Sequence, residues 1–279
     1  MHVCRTDYIL GWSIRYILEF DNTTLFVPCV HVPHSRVILD ASSPSPWRLG
    51  ARACCASTML RVLLYGDSLI AGYHHFSGPV VSWAPQLEGY LGKALKRPVE
   101  VVASGEGGMT ASAMRNSPGL RKLLGGKRFD LVVIHAGAND FMQAGGWEEG
   151  IAGKIVADVA ALHATARQTG SSTASLGIPL GPGVGDREGL TQLNDGIASG
   201  GGANLFVDST ALMPYAQNAQ LWSTDGVHLT HDGYVEWARR MAGPLATLLR
   251  DSPKGSGGHG SGRHSVSEES GLAEPHRHG

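Results

Sequence analysis

The chain has 279 residues, of which 42% are hydrophobic and 17% are charged, so it holds enough apolar material for a substantial core. Its formal net charge of −1 gives no long-range field that would attract nucleic acid or an anionic membrane surface, which disfavours a nucleic-acid partner. No stretch approaches the roughly 18 consecutive apolar residues of a membrane-spanning helix, so the sequence predicts a soluble protein with no transmembrane segment.

Residues 1–58 differ from the rest of the chain, because they mix aromatic segments with Pro, Ser and Arg and show no sustained period. We interpret them as an N-terminal extension of unclear structure. Their start fits neither a secretory signal nor a transit peptide, which leaves the compartment open with the cytoplasm slightly favoured. All the cysteines lie in this extension, and their spacing matches no zinc pattern, so no metal site is expected: Cys4, Cys29, Cys54 and Cys55.

From residue 59 to 250, short apolar runs alternate with longer amphipathic stretches, a pattern typical of a parallel sheet covered by helices on both faces. The predicted strands are Arg61–Tyr65, Val99–Ala103, Leu131–His135, Thr173–Gly177 and Leu205–Asp208. The predicted helices are Pro85–Leu95, Ala111–Leu124, Ile151–Thr169, Glu188–Ala198 and Gly233–Leu249. The sequence therefore predicts one α/β domain built as a three-layer α/β/α sandwich.

The last segment, residues 251–279, turns to Gly, Ser, His and Glu with almost no apolar side chains. Such a composition cannot bury enough surface to order itself, which predicts a disordered tail.

A serine follows the first predicted strand, in the segment Gly66-Asp67-Ser68-Leu69. Open α/β sheets form their ligand crevice at the carboxyl ends of the strands, so the Ser68 hydroxyl lies where a nucleophile would. The same residues would serve equally well as an ordinary turn in which Ser68 caps a helix, and the motif alone does not decide between the two.

A carboxylate and an imidazole lie three residues apart near the end of the domain, in Asp225-Gly226-Val227-His228. A turn there lets Asp225 accept the Nδ1 proton of His228 and leaves Nε2 free to take the hydroxyl proton of Ser68. Taken alone, the pair is also compatible with a loop aspartate and a surface histidine.

Two further segments offer donors for the oxyanion that forms when an ester carbonyl becomes tetrahedral. The glycines of Gly105–Thr110, after the second predicted strand, let backbone N–H groups approach a ligand. Asn139 follows the third predicted strand, and its amide carries two N–H donors that we expect to point into the same crevice. The shared location of these segments at the carboxyl end of the sheet favours a hydrolytic site over unrelated turns.

These four blocks together resemble those of the SGNH hydrolase family, also called GDSL-type, over roughly residues 61–248. The resemblance implies a flavodoxin-like fold with a five-stranded parallel sheet and no metal or organic cofactor. It implies a catalytic triad of Ser68, Asp225 and His228. It also implies an oxyanion hole formed by the N–H groups of Ser68 and Gly108 and by the Asn139 side chain, with Gly105 and Gly107 as alternatives for the glycine.

The implied activity is hydrolysis of carboxylic esters through an acyl-enzyme on Ser68. Four residues near the blocks are expected to line a substrate pocket: Tyr73, Phe141, Met142 and Trp222. The short predicted connections argue against a large lid, which favours small to medium acyl groups. A carbohydrate O-acetyl ester and a lysophospholipid stay open as substrates within the family, and the sequence does not determine the oligomeric state.

Two interpretations from other functional classes also stay open. The first is an inactive SGNH-like binding module. The second is a flavodoxin-like nucleotide- or flavin-binding protein, in which the loop Gly105–Gly108 would cradle a phosphate. The second is disfavoured because the chain has neither a P-loop nor a full Gly-x-Gly-x-x-Gly fingerprint after a strand, and because it leaves Asp225 and His228 without a role.

Overall fold

The computed structural model describes residues 18–20, 23–25, 59–75 and 80–252. The chain divides into two compact units, Met1–Cys54 and Cys55–Gly279. In the first unit, β1 (Leu18–Phe20) and β2 (Thr23–Leu25) pair in antiparallel fashion. The predicted tail lies outside the described residues from position 253 onward, and the domain boundaries 1–58, 59–250 and 251–279 stay predictions.

Within the described part of the second unit, a parallel sheet confirms the predicted architecture. Its strands are β3 (Leu60–Gly66), β4 (Val99–Gly105), β5 (Leu131–His135), β6 (Ser172–Leu176) and β7 (Leu205–Val207). They lie side by side in the order β4-β3-β5-β6-β7, with every neighbouring pair parallel. Each matches a predicted strand to within two residues at either end. The signal is plainest in β3 and β5, because buried parallel strands read as short apolar runs.

Helices cover both faces of this sheet. They are α1 (Ser68–Ala71), α2 (Ala84–Leu95), α3 (Ala111–Asn116), α4 (Gly119–Gly126), α5 (Ala138–Ala144), α6 (Glu149–Arg167), α7 (Arg187–Gly200), α8 (Ser209–Leu212), α9 (Tyr215–Asn218) and α10 (His231–Asp251), with a 3₁₀ turn at Ala219–Leu221. None of the helices in the described residues is both long and apolar enough to cross a membrane.

The alternation of side chains along β3 divides the core into two layers. Val62 and Leu64 are buried in a cluster that includes the apolar faces of α2 and α10. Leu63 and Tyr65 point to the other face and are buried in a cluster formed with α3 to α7. The strand is therefore buried on both sides, as the middle layer of a three-layer sandwich requires.

The predicted helix Ala111–Leu124 is wrong in one respect, because it is two helices. Ser117 ends α3 in an extended conformation, with φ −68° and ψ 145°, and α4 begins only at Gly119. Pro118 explains the break, since its ring disfavours the helical conformation of the residue before it. The short helix α5, which begins at Ala138, was not predicted because its residues were assigned to the Asn139 block alone.

Candidate active site

Ser68 opens the short helix α1 directly after the carboxyl end of β3. Asp67 caps this helix, and its Oδ1 accepts a hydrogen bond of 3.0 Å from the Leu69 N–H. Gly72 ends the helix in a left-handed conformation, with φ +89°. The helix lies close to the end of β4, where a Cβ at Gly105 would collide with the backbone of α1. This packing places Ser68 at the edge of the sheet where three strands end.

The segment Asp225–His228 forms a tight turn held by the Asp225 carboxylate. Its Oδ1 accepts the backbone N–H groups of Val227 and His228, each at 2.9 Å, and its Oδ2 lies 2.8 Å from Nδ1 of the His228 ring. Burial by itself raises the pKa of Asp225, but the hydrogen bonds from His228 and Val227 outweigh it and leave the pKa lowered. Asp225 therefore stays ionised and orients the imidazole.

The two distant segments meet at a single contact. Nε2 of His228 lies 2.8 Å from Oγ of Ser68, across 160 positions of sequence. Because Nδ1 faces a carboxylate, the ring proton belongs on Nδ1, and Nε2 is then the acceptor for the Ser68 hydroxyl. His228 is 1% exposed, whereas Ser68 is partly exposed to the crevice. The structure thus brings together all three residues of the predicted triad.

The turn around Asp225 is supported by the loop that follows β6. No role was predicted for this loop from the sequence. The Gly183 N–H donates to the Gly226 carbonyl at 3.0 Å. A Cβ at Gly181 would collide with the same carbonyl, and one at Gly183 would collide with the carbonyl of Asp225. Side chains are excluded here because two backbones touch. The glycines of this loop follow a predicted strand at its carboxyl end, and this pattern could have indicated from the sequence that the loop approaches the site.

The three glycines of the loop after β4 have different surroundings. A Cβ at Gly105 would collide with α1, and one at Gly107 would come within 3.0 Å of the Tyr73 ring. Gly108 has φ +78°, is exposed and has no atom within 4 Å of where a Cβ would lie. Only Gly108 combines a conformation that favours glycine with open space in front of it.

Asn139 lies beside this loop, in the first turn of α5. Its Nδ2 donates to the Met109 carbonyl at 2.9 Å. The amide has two hydrogens, so at most one of them is left for a ligand rather than the two that were expected. The bond ties the Asn139 side chain to the residue that follows Gly108, so that the two groups form one wall of the crevice.

The four predicted pocket residues take different places. Phe141 and Met142 line a small apolar recess together with Leu69, Ala138, Ile178, Pro179, Val184, Leu190 and Val227. Tyr73 is half-buried, with its ring centre 6.2 Å from that of His228. Trp222 is 5% exposed, packs against the Tyr215 ring and does not line the recess.

Comparison with known proteins adds three findings. The sequence matches the family described as GDSL-like Lipase/Acylhydrolase over residues 64–235. No curated protein matches the chain. Several solved structures resemble it, among them a lipase/acylhydrolase from Enterococcus faecalis with 17% identity, 68% of this chain and 97% of that chain covered, and a TM-score of 0.55.

A psychrotrophic esterase, EstA from Pseudoalteromonas sp., is 21% identical, with 68% of this chain and 99% of that chain covered and a TM-score of 0.53. A family 3 carbohydrate esterase from Clostridium thermocellum is 18% identical, with 69% of this chain and 98% of that chain covered and a TM-score of 0.52. At these identities the structural matches establish the fold alone, and the family match carries the functional class.

Proposed function

The chain belongs to the GDSL-like lipase/acylhydrolase family and is a carboxylic ester hydrolase, and we propose that it works through Ser68, His228 and Asp225. The observation that carries the proposal is the continuous hydrogen-bonded series from Ser68 Oγ through the His228 ring to Asp225, with 2.8 Å at both contacts. Distances of this length are within reach for proton transfer.

In the first half of the reaction, Ser68 Oγ attacks the carbonyl carbon of the ester while His228 Nε2 takes the hydroxyl proton. The tetrahedral intermediate then collapses. The bond to the alcohol oxygen breaks, and His228 donates the same proton to the departing alcohol. Ser68 is left as an acyl ester.

In the second half, a water molecule takes the place of the alcohol. His228 removes one proton from this water as its oxygen attacks the acyl carbon, and the proton then returns to Ser68 Oγ as the carboxylic acid leaves. Asp225 stabilises the imidazolium that forms in both halves, and its lowered pKa keeps it negative for that task.

The oxyanion would be held by the backbone N–H groups of Ser68 and Gly108 and by the remaining N–H of Asn139. The open space in front of Gly108 and the fixed Asn139 side chain support this assignment. Donors that are already oriented stabilise the developing charge without reorganising during the reaction.

We further propose that the recess next to Ser68 receives the acyl chain. Its lining is apolar, and it lies between Leu69, the neighbour of Ser68, and Val227, the neighbour of His228. A recess this small favours short acyl groups over long lipid chains. Carbohydrate O-acetyl esters carry the shortest such group and remain within this proposal, whereas a lysophospholipid would need a longer cleft.

The proposal is tested with purified wild type, Ser68→Ala and Ser199→Ala, in which Ser199 is an exposed serine of α7. Each is assayed against p-nitrophenyl esters from acetate to palmitate and labelled with a serine-reactive phosphonate. We expect hydrolysis and labelling in wild type and Ser199→Ala and neither in Ser68→Ala, with rates that fall for long chains. A folded wild type that hydrolyses no ester and takes no label would instead indicate a binding module.

A further inference from the structure

A second aspartate–histidine pair lies behind Ser68. Nδ1 of His135 is 3.1 Å from Oδ1 of Asp67, and the two side chains are 0% and 1% exposed. His135 is the last residue of β5, and Asp67 is the residue directly before Ser68. Neither side chain takes part in the proposed proton transfers.

The Asp67 carboxylate connects β5 to the turn that carries Ser68. Its Oδ1 accepts the Leu69 N–H at 3.0 Å as well as facing the His135 ring. Ser68 lies between Asp67 and Leu69, which the first of these hydrogen bonds joins. The ends of the two strands are also in close contact, since a Cβ at Gly66 would collide with the His135 carbonyl.

Because Asp67 is buried, its carboxylate depends on the hydrogen bond from His135. An ionised carboxylate away from water is costly unless hydrogen bonds satisfy it. The Leu69 N–H supplies one bond, and Oδ2 of Asp67 has no partner among the described residues. His135 therefore supplies the only side-chain donor that the described residues bring to Asp67. The Asp67 carboxylate defines the donor on His135 in return, because a ring nitrogen that faces a carboxylate carries the proton.

Aromatic packing holds the His135 ring in place. Trp237 of α10 meets it edge-on, with ring centres 6.3 Å apart.

Tyr234, one turn earlier on α10, donates its hydroxyl to the Tyr73 carbonyl at 2.7 Å. Burial, and then the charge of Asp67, raise the pKa of Tyr234 well above its usual value, so its hydroxyl stays protonated and keeps that bond.

We propose that His135 is a positioning residue: by donating its Nδ1 hydrogen to Asp67, it holds the Asp67–Leu69 turn so that Ser68 Oγ stays within reach of His228. This inference rests on the proposed function. Because His135 and Asp67 are buried, neither side chain touches the substrate. The effect of losing the bond therefore falls on kcat, while KM stays close to its wild-type value.

The test compares two substitutions at one position. Leucine fills much of the imidazole volume without a donor, whereas asparagine places an amide N–H near the position of Nδ1. We expect His135→Leu to lower kcat by about 10- to 100-fold, the range for a nucleophile displaced by up to about 1 Å, with KM changed less than about twofold. His135→Asn should recover most of the loss, and phosphonate labelling rates should follow kcat.

His163→Leu is the matched control, because His163 is also a fully buried histidine, but neither of its ring nitrogens has a hydrogen-bond partner among the residues that the structure describes. It should keep wild-type kcat. Wild-type kcat in folded His135→Leu, or an Asn variant no more active than the Leu variant, would overturn the inference.

A measurement on the wild type keeps the inference testable if His135→Leu does not fold. ¹⁵N NMR of histidine-labelled protein should show His135 as the Nδ1–H tautomer. A hydrogen found on Nε2 alone would refute the positioning role, whatever the activity of the variants. A wild type that is inert to esters and phosphonate would instead refute the proposed function, which separates the two failures.

Discussion

Two aspartate–histidine pairs flank Ser68, and they join the same kinds of atom. Oδ2 of Asp225 lies 2.8 Å from Nδ1 of His228, and Oδ1 of Asp67 lies 3.1 Å from Nδ1 of His135. They differ in what the second ring nitrogen meets. Nε2 of His228 contacts Ser68 Oγ, whereas Nε2 of His135 is buried and has no partner in the described part of the chain.

This difference shows that the pairing alone does not make a general base. The carboxylate orients the ring in both cases, and the position of Nε2 decides what the ring can do. At the mouth of the crevice, Nε2 can exchange a proton with a hydroxyl and then with substrate. Nε2 of His135 has no such exchange partner among the described residues, so the inner pair positions Ser68 and takes no part in the proton transfers.

The largest expected effect comes from Asp225→Asn, which breaks the outer pair. An amide donor toward Nδ1 favours the tautomer that carries its proton on Nε2, so His228 can no longer accept the Ser68 proton. We expect kcat to fall by about 10⁴-fold, well beyond the loss expected for His135→Leu.

The assay for Asp225→Asn is steady-state ester hydrolysis, with Asp195→Asn on an exposed position of α7 as the control. If His135→Leu lost more activity than Asp225→Asn while remaining folded, the division of roles between the two pairs would be reversed.

Asn139→Ala tests the crevice beyond the outer pair. The variant removes one proposed oxyanion donor and the bond to the Met109 carbonyl, so we expect kcat to fall by about 10²- to 10³-fold. Gln143→Ala, at an exposed position of the same helix, is the control. Kinetics with p-nitrophenyl acetate and thermal unfolding should be measured together. A loss smaller than about twofold would remove Asn139 from the oxyanion hole.

Gly183→Ala tests how the outer pair is supported. The added methyl group would collide with the Asp225 carbonyl, and the turn that holds His228 would have to shift. We expect a loss of about tenfold or more in kcat, since a small displacement of a catalytic group is costly. Gly185→Ala is the matched control, because a Cβ there has no atom within 4 Å. Equal activity in the two variants would contradict this supporting role.

The last prediction concerns stability and expects no change in activity; it involves His163, a buried histidine that no carboxylate contacts within the described residues. Burial, with a smaller contribution from the Arg167 charge, lowers its pKa from 6.5 to about 4. Between pH 6.5 and 4 the unfolded chain binds a proton that the folded chain does not, so stability falls with pH in this window. This linkage makes the free energy of unfolding about 3 kcal/mol larger at neutral pH than at a pH below 4. About 2 kcal/mol of that difference is lost by pH 5.

The measurement is urea unfolding of wild type and His163→Leu at pH 7 and pH 5. Wild type should lose about 2 kcal/mol more than the variant between the two pH values, while ester hydrolysis at pH 7 stays unchanged in the variant. An identical pH dependence in both proteins would show that His163 is not a neutral group that burial keeps unprotonated.

Much of this protein follows from local patterns in its sequence. Mainly apolar runs identified β3 and β5, because a strand that is buried on both faces needs apolar side chains along its length. The strands β4 and β6 were also predicted, although both carry polar residues. The resemblance to the SGNH family likewise depended on short blocks, three of which follow predicted strands, while the fourth precedes the last helix. Pro118 indicates the break between α3 and α4, although the helical spacing of apolar residues continues across it and predicted one helix.

Other features were decided only by the tertiary structure. The pairing of His135 with Asp67 arises because β3 and β5 are neighbours in the sheet, with Gly66 in register with His135. The support from Gly183 arises because two loops that are distant in sequence touch backbone to backbone. The sequence by itself determined which segments become strands and which carry reactive side chains, since both depend on neighbours along the chain. Which of those side chains meet, and whether water reaches them, depends on the order of the strands and on close packing between distant segments, which no local period encodes.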